Sequence, residues 1–96
     1  MMLYAISGED IPGSLEKRLA ARAAHLKRIN TLQEEGRLIL AGPYPAIDSP
    51  DPGLAGFYGS LLVAEFESLE QAHILAETHP SATSGVYAKP TAQTFQ

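Results

Sequence analysis

Residues 60–80 read SLLVAEFESLEQAHILAETHP, and this stretch decides the fold. Ser60 to Phe66 is an apolar run of strand length. The pattern then changes: Ser68-Leu69-Glu70-Gln71 has capping-box spacing, with serine at the N-cap and glutamine three residues on. Leu69, Ala72, Leu75 and Ala76 follow at helical spacing and make one apolar stripe. Pro80, lacking an N–H, ends that helix. A strand therefore feeds directly into an amphipathic helix.

Working outward from this unit completes the order. Upstream, Arg37 to Ala41 (RLILA) reads as a strand ended by Gly42-Pro43. Gly42 to Gly59 holds four prolines and four glycines and reads as a long loop. Before it, Ser14 is a suitable N-cap for a helix running to about Glu35, and Gly36 suits the C′ position that stops it. Gly8 to Gly13, with Pro12, form a turn, and Met2 to Ser7 alternate as a first strand. Downstream, Gly85 to Tyr87 and Thr91 to Phe95 are extended pieces separated by Lys89-Pro90. The order β-α-β-β-α-β over residues 1–96 is that of a single α+β domain of the ferredoxin-like type. Two helices cover only one face of such a sheet, so an apolar face is left, and a homodimer is the expected solution.

Composition narrows the function. With 96 residues, 45% hydrophobic and 19% charged, the chain is an ordinary globular domain. A net charge of −4 without a basic run argues against nucleic acid as partner. The absence of cysteine excludes disulfides, thiol nucleophiles and thiolate metal sites. The beginning, MMLYAISGED, has neither a basic n-region nor a long apolar run, so no signal peptide or membrane span is expected, and a cytoplasmic location is the default.

The first helix carries the chemistry. Its apolar stripe is Leu15, Leu19, Ala23, Leu26 and Ile29, and Arg18, Arg22 and His25 follow its edge at i, i+4, i+7. Arg22 lies nearest the apolar centre. His25 has two readings: a boundary histidine that packs its ring, or a general acid/base whose pKa Arg18 and Arg22 lower by repulsion. The arginines either snorkel or anchor an anionic ligand. On the second helix, position 79 continues the apolar side. His79 therefore points inward at the helix C-terminus, as a cap or as part of a site, whereas His73 lies on the flank. His73 and His79 are six apart, so the i, i+4 spacing of a helical zinc site is absent, and neither metal nor cofactor is expected.

Several segments taken together resemble the YciI-like (YCII-related) family over essentially the whole length. They include Ser14-Leu15-Glu16-Lys17-Arg18-Leu19, Arg22 with Ala24-His25-Leu26, Glu35-Gly36-Arg37-Leu38 and Ala41-Gly42-Pro43. Pro45-Ala46-Ile47-Asp48-Ser49, Asp51-Pro52-Gly53, Ala55-Gly56-Phe57, Ala64-Glu65-Phe66-Glu67-Ser68 and Gly85-Val86-Tyr87 continue the match. The resemblance implies a dimeric α+β barrel: two ferredoxin-like subunits with their sheets packed together and a cleft on each. It also implies a histidine/aspartate dyad, and a related member removes chloride from a chlorinated hydroquinone. By position, the family histidine falls on His25 and the family Gly-Pro on Gly42-Pro43. The usual Asp-Pro at the end of the second helix is here His79-Pro80, so His79 replaces the carboxylate, or Asp10 or Asp48 supplies it.

The expected site is therefore His25, His79 and Asp48 for proton transfer. Arg18 and Arg22 are the anion contacts, Gly42 and Pro43 the cleft wall, and Ser60 a neighbouring backbone donor. The expected ligand is a small anionic or aromatic organic molecule. The rival is a non-catalytic binding or accessory module that has lost the dyad.

Overall fold

A computed structural model of the chain describes residues 2–79 and 85–96. Its elements are β1 (Met2–Glu9), α1 (Leu15–Glu34), β2 (Leu38–Pro45), β3 (Phe57–Phe66), α2 (Leu69–Thr78) and β4 (Thr91–Phe95). The four strands make one sheet in the order β2-β3-β1-β4, and every neighbouring pair is antiparallel. This is the ferredoxin-like arrangement that the element order predicts.

Both helices pack on one face. Tyr4 and Ile6 of β1, Leu62, Ala64 and Phe66 of β3, and Ala92 of β4 meet Leu32 of α1 and Ala72 and Ala76 of α2 in the core. The alternating residues Leu3, Ala5, Leu61 and Val63 belong to the opposite face, where Ala5 pairs with Val63 and Leu3 with Glu65.

The helix ends follow their sequence signals with one exception. The Ser68 hydroxyl accepts the Gln71 N–H at 3.2 Å, as the capping box requires. α1 closes in a Schellman motif: the Gly36 N–H donates to Gln33 O and the Arg37 N–H to Leu32 O, both at 3.0 Å. Gly36 takes φ +73°, which glycine adopts without Cβ strain. Ser14 occupies the N-cap position, but its buried side chain makes no capping bond. The stop assigned to Pro80 lies outside the described residues.

Several boundaries differ from expectation, beginning with β1, which runs through Gly8 to Glu9 where a turn was expected. β2 runs through Gly42-Pro43 to Pro45, and β3 starts at Phe57, so the connecting loop shrinks to residues 46–56. β2 is an edge strand, where a proline whose nitrogen faces the unpaired side removes no ladder bond. Residues 85–87 do not form a strand; they are tied to the end of β1 by the isolated bridge Asp10↔Tyr87.

The difference in α1 matters most. The apolar stripe of α1 is not its sheet-packing face: Leu19 is 58% exposed and Leu26 41%. Ala21 and Leu32 are the buried positions, with Arg18, His25, Arg28 and Ile29 half-buried beside them. Leu19, Leu26 and Ile29 of the stripe line a cleft against β2, and Ile29 packs on the core as well.

Candidate active site

Leu19, Arg22, Leu26 and Ile29 of α1 form one wall of this cleft, and Ala41, Gly42 and Pro43 of β2 with Phe57 of β3 form the other. Its volume is about 190 Å³, below the usual range for drug-sized ligands and suited to a single ring. Arg18 and His25 complete the lining. Behind it lies a second space of about 10 Å³, lined by Ile6, Gly8, His25, Ser60, Leu61, Leu62, His79 and Tyr87. His25 borders both.

At that junction, His25 Nδ1 and His79 Nε2 share a hydrogen bond of 3.0 Å, with the donor set by the tautomer. The rings meet edge-on, their centroids 4.8 Å apart. Helical geometry explains the meeting: His25 projects from the sheet side of α1, and His79, at the C-cap of α2, projects inward and is 4% exposed. Burial, then Arg18, then Arg22 push the His25 pKa below its ordinary value. His79 is pushed down to about 4 by burial first, then by His25, Arg28 and Arg18. Both rings are thus neutral at pH 7. A proton added to the pair is better solvated on His25, which borders the open cleft, than on the buried His79.

The two arginines have different environments. Arg18 Nε donates to Asp10 Oδ2 at 2.6 Å, and its Nη2 donates to Asp10 Oδ1 at 2.9 Å and to Gly59 O at 3.0 Å. Its guanidinium also lies over the Phe57 ring at 5.1 Å. Asp10 therefore neutralises Arg18 and holds it rigid. Arg22 is exposed, lines the cleft and makes no ion pair among the described residues, so it gives the cleft its uncompensated positive charge.

Of the expected site residues, the structure brings together His25, His79, Arg18, Arg22, Gly42 and Pro43. Ser60 is buried and belongs to the inner space, where its hydroxyl is hydrogen-bonded to the Tyr87 hydroxyl. Asp48 is exposed on the loop of residues 46–56 and lines neither space. Asp10 is engaged by Arg18, and among the described residues the side-chain hydrogen bond of His25 goes to His79 and to neither carboxylate. Phe57 and Tyr87 were not singled out by the sequence. Phe57 begins a strand read as loop, and Tyr87 comes from a short piece placed by contacts with β1, β3 and the end of α2. No group of three or more histidine, aspartate or glutamate side chains arranged for a metal occurs among the described residues.

A family model described as "YCII-related domain" matches residues 2–95. "Protein YciI" of Escherichia coli O6:H1 is 53% identical over 95 residues, covering 99% of this chain and 97% of that protein. An uncharacterized protein of Haemophilus influenzae is 48% identical over the same length, with the same shares covered. Among solved structures, a 5-chloro-2-hydroxyhydroquinone dehydrochlorinase from Burkholderia phenoliruptrix, in complex with 2,5-dihydroxybenzoquinone, superimposes with a TM-score of 0.85. It is 28% identical, over 99% of this chain and 94% of that one.

Proposed function

We propose that this chain, which belongs to the YCII-related domain family, is a small-molecule enzyme in which His25 transfers a proton to or from a ligand held in the α1–β2 cleft. The observation that carries the reading is the position of His25. It borders the open cleft on one side and is hydrogen-bonded to the buried His79 on the other. The proposed ligand is a small hydroxylated aromatic or quinone-like anion. The apolar walls of the small cleft and Arg22, which makes no ion pair among the described residues, suit that chemistry, and the structural relative is in complex with 2,5-dihydroxybenzoquinone.

The proton inventory follows from the pair. His25 carries its proton on Nδ1 and donates it to Nε2 of His79, which leaves His25 Nε2 as a neutral base. A ligand hydroxyl gives its proton to that nitrogen, its electron pair stays on oxygen, and Arg22 stabilises the resulting anion. The imidazolium so formed keeps its Nδ1–H bond to His79. A neutral imidazole stabilises this cation less than a carboxylate would, so the base remains weak and readily returns the proton.

The working unit in this reading is a homodimer. Half-buried Leu3, Ala5 and Leu61 on the sheet face opposite the helices, with the exposed Leu40 of β2, offer an apolar surface for a second copy. The test is to mix the protein with 5-chloro-2-hydroxyhydroquinone and follow chloride release, and to measure binding of 2,5-dihydroxybenzoquinone by calorimetry. Turnover that falls about a hundredfold or more in His25→Ala supports the proposal. Ligand binding without turnover, unchanged in His25→Ala, replaces it with a non-catalytic binding module.

A further inference from the structure

His79 is gripped from a second side. Residues 86–88 are stitched to the end of β1: the Ile11 N–H donates to Val86 O at 2.7 Å and the Ala88 N–H to Glu9 O at 2.9 Å. These bonds lay the buried Tyr87 ring across Gly8, where a Cβ would stand only 2.7 Å from the ring atoms. One face of the ring stacks on His79 with centroids 5.7 Å apart and planes 26° from parallel. The Tyr87 hydroxyl is anchored to Ser60 Oγ, and Ser60 is the β3 residue paired with Gly8.

We infer that Tyr87 is a positioning residue: its ring, seated on Gly8 and tied to Ser60, fixes the orientation of the His79 imidazole so that Nε2 faces His25. This rests on the reading of His25 and His79 as the working pair. A C-cap histidine at the end of a ten-residue helix otherwise has rotamers that turn Nε2 away from α1. The stacking face, not the hydroxyl, supplies the orienting contact, and the hydroxyl holds the face in place. The charged and titratable groups facing His79 among the described residues are His25, Arg28 and Arg18 of α1, together with Tyr87 itself. Arg18 is linked to this segment through Asp10, whose bridge to Tyr87 runs through main-chain bonds that a change of the Tyr87 side chain leaves in place, so the side chain reaches the pair through the His79 ring.

The experiment is nitrogen-detected NMR titration of both histidine rings, which needs no substrate. In the otherwise unaltered protein, cross-peaks between the Tyr87 and His79 ring protons are expected, and His79→Gln shifts the His25 titration. In a Tyr87→Leu background, the effect of His79→Gln on His25 should fall to less than half. Tyr87→Phe, which keeps the ring, should retain most of it. An undiminished effect in Tyr87→Leu overturns the inference. If that variant does not fold, absence of the Tyr87–His79 cross-peaks in the unaltered protein overturns it. Loss of the linkage in Tyr87→Leu, together with a protein that turns over no probe, leaves the role of Tyr87 standing and removes only the enzymatic reading.

Discussion

Acid should weaken this fold through His79, and by a calculable amount. Above pH 6.5 the ring is neutral in both the folded and the unfolded chain and contributes no pH dependence. As pH falls below 6.5, the unfolded chain takes up a proton that the buried ring, held to about 4, refuses. The unfolded state then binds more protons, so stability drops with falling pH until about 4 and no further. At roughly 1.4 kcal/mol for each pH unit in this window, going from pH 7 to 4.5 costs on the order of 3 kcal/mol. His79→Gln removes the titrating group and keeps a polar side chain at the site. Urea unfolding at pH 7 and pH 4.5, at one fixed protein concentration, should show the unaltered protein losing about 2–3 kcal/mol more than the variant. Thermal melts should show the same difference as about 10 °C or more. His25 is lowered by burial, Arg18 and Arg22, which both proteins keep, so only the part of its contribution that comes from its bond to His79 differs between them. Parallel pH profiles would refute the reasoning.

Four further outcomes are expected. His25→Ala should cost little stability, about 1 kcal/mol, because the ring is half-buried beside open space, and circular dichroism melts will read it. Arg18→Ala leaves the Asp10 carboxylate, 5% exposed, without its cation and should cost about 3 kcal/mol by denaturant titration, whereas Arg22→Ala should leave stability within about 0.5 kcal/mol and weaken anion binding. His79→Asp should raise the His25 pKa, since a carboxylate favours the imidazolium, and an NMR titration of His25 reads the direction. Light scattering at micromolar concentration should give the mass of a dimer; a monomer mass removes the sheet-face interface.

The parts of the fold written in local chemistry were legible from sequence. Ser68 and Gln71 close a cap within four residues, and Gly36 satisfies the carbonyls of its own helix, so neither needs the rest of the molecule. The strand boundaries at Pro43 and Phe57 were not legible, because a proline is excluded from a strand only when both sides are paired. The stripe of α1 was correctly located and wrongly assigned. Leu19 and Leu26 have the spacing of a packing face, and periodicity does not distinguish a wall that meets a sheet from one that lines a cleft. His79 was legible as an inward-pointing residue, but its pairing with His25, 54 positions away, was legible only through the family resemblance, because periodicity does not register a contact that topology creates. Tyr87 was missed because the residues that place its ring, Gly8, Ser60 and His79, come from β1, β3 and the C-cap of α2, which only the fold brings together.

The most direct test of the account is a crystal structure of this protein soaked with 2,5-dihydroxybenzoquinone. The account predicts the ring between Leu26 and Pro43 in the α1–β2 cleft. One ring oxygen should lie about 3 Å from His25 Nε2, another near Arg22, and the His25–His79 bond should remain intact. A ring bound elsewhere, or one in the cleft with His25 turned away from it, contradicts the claim that His25 does the chemistry.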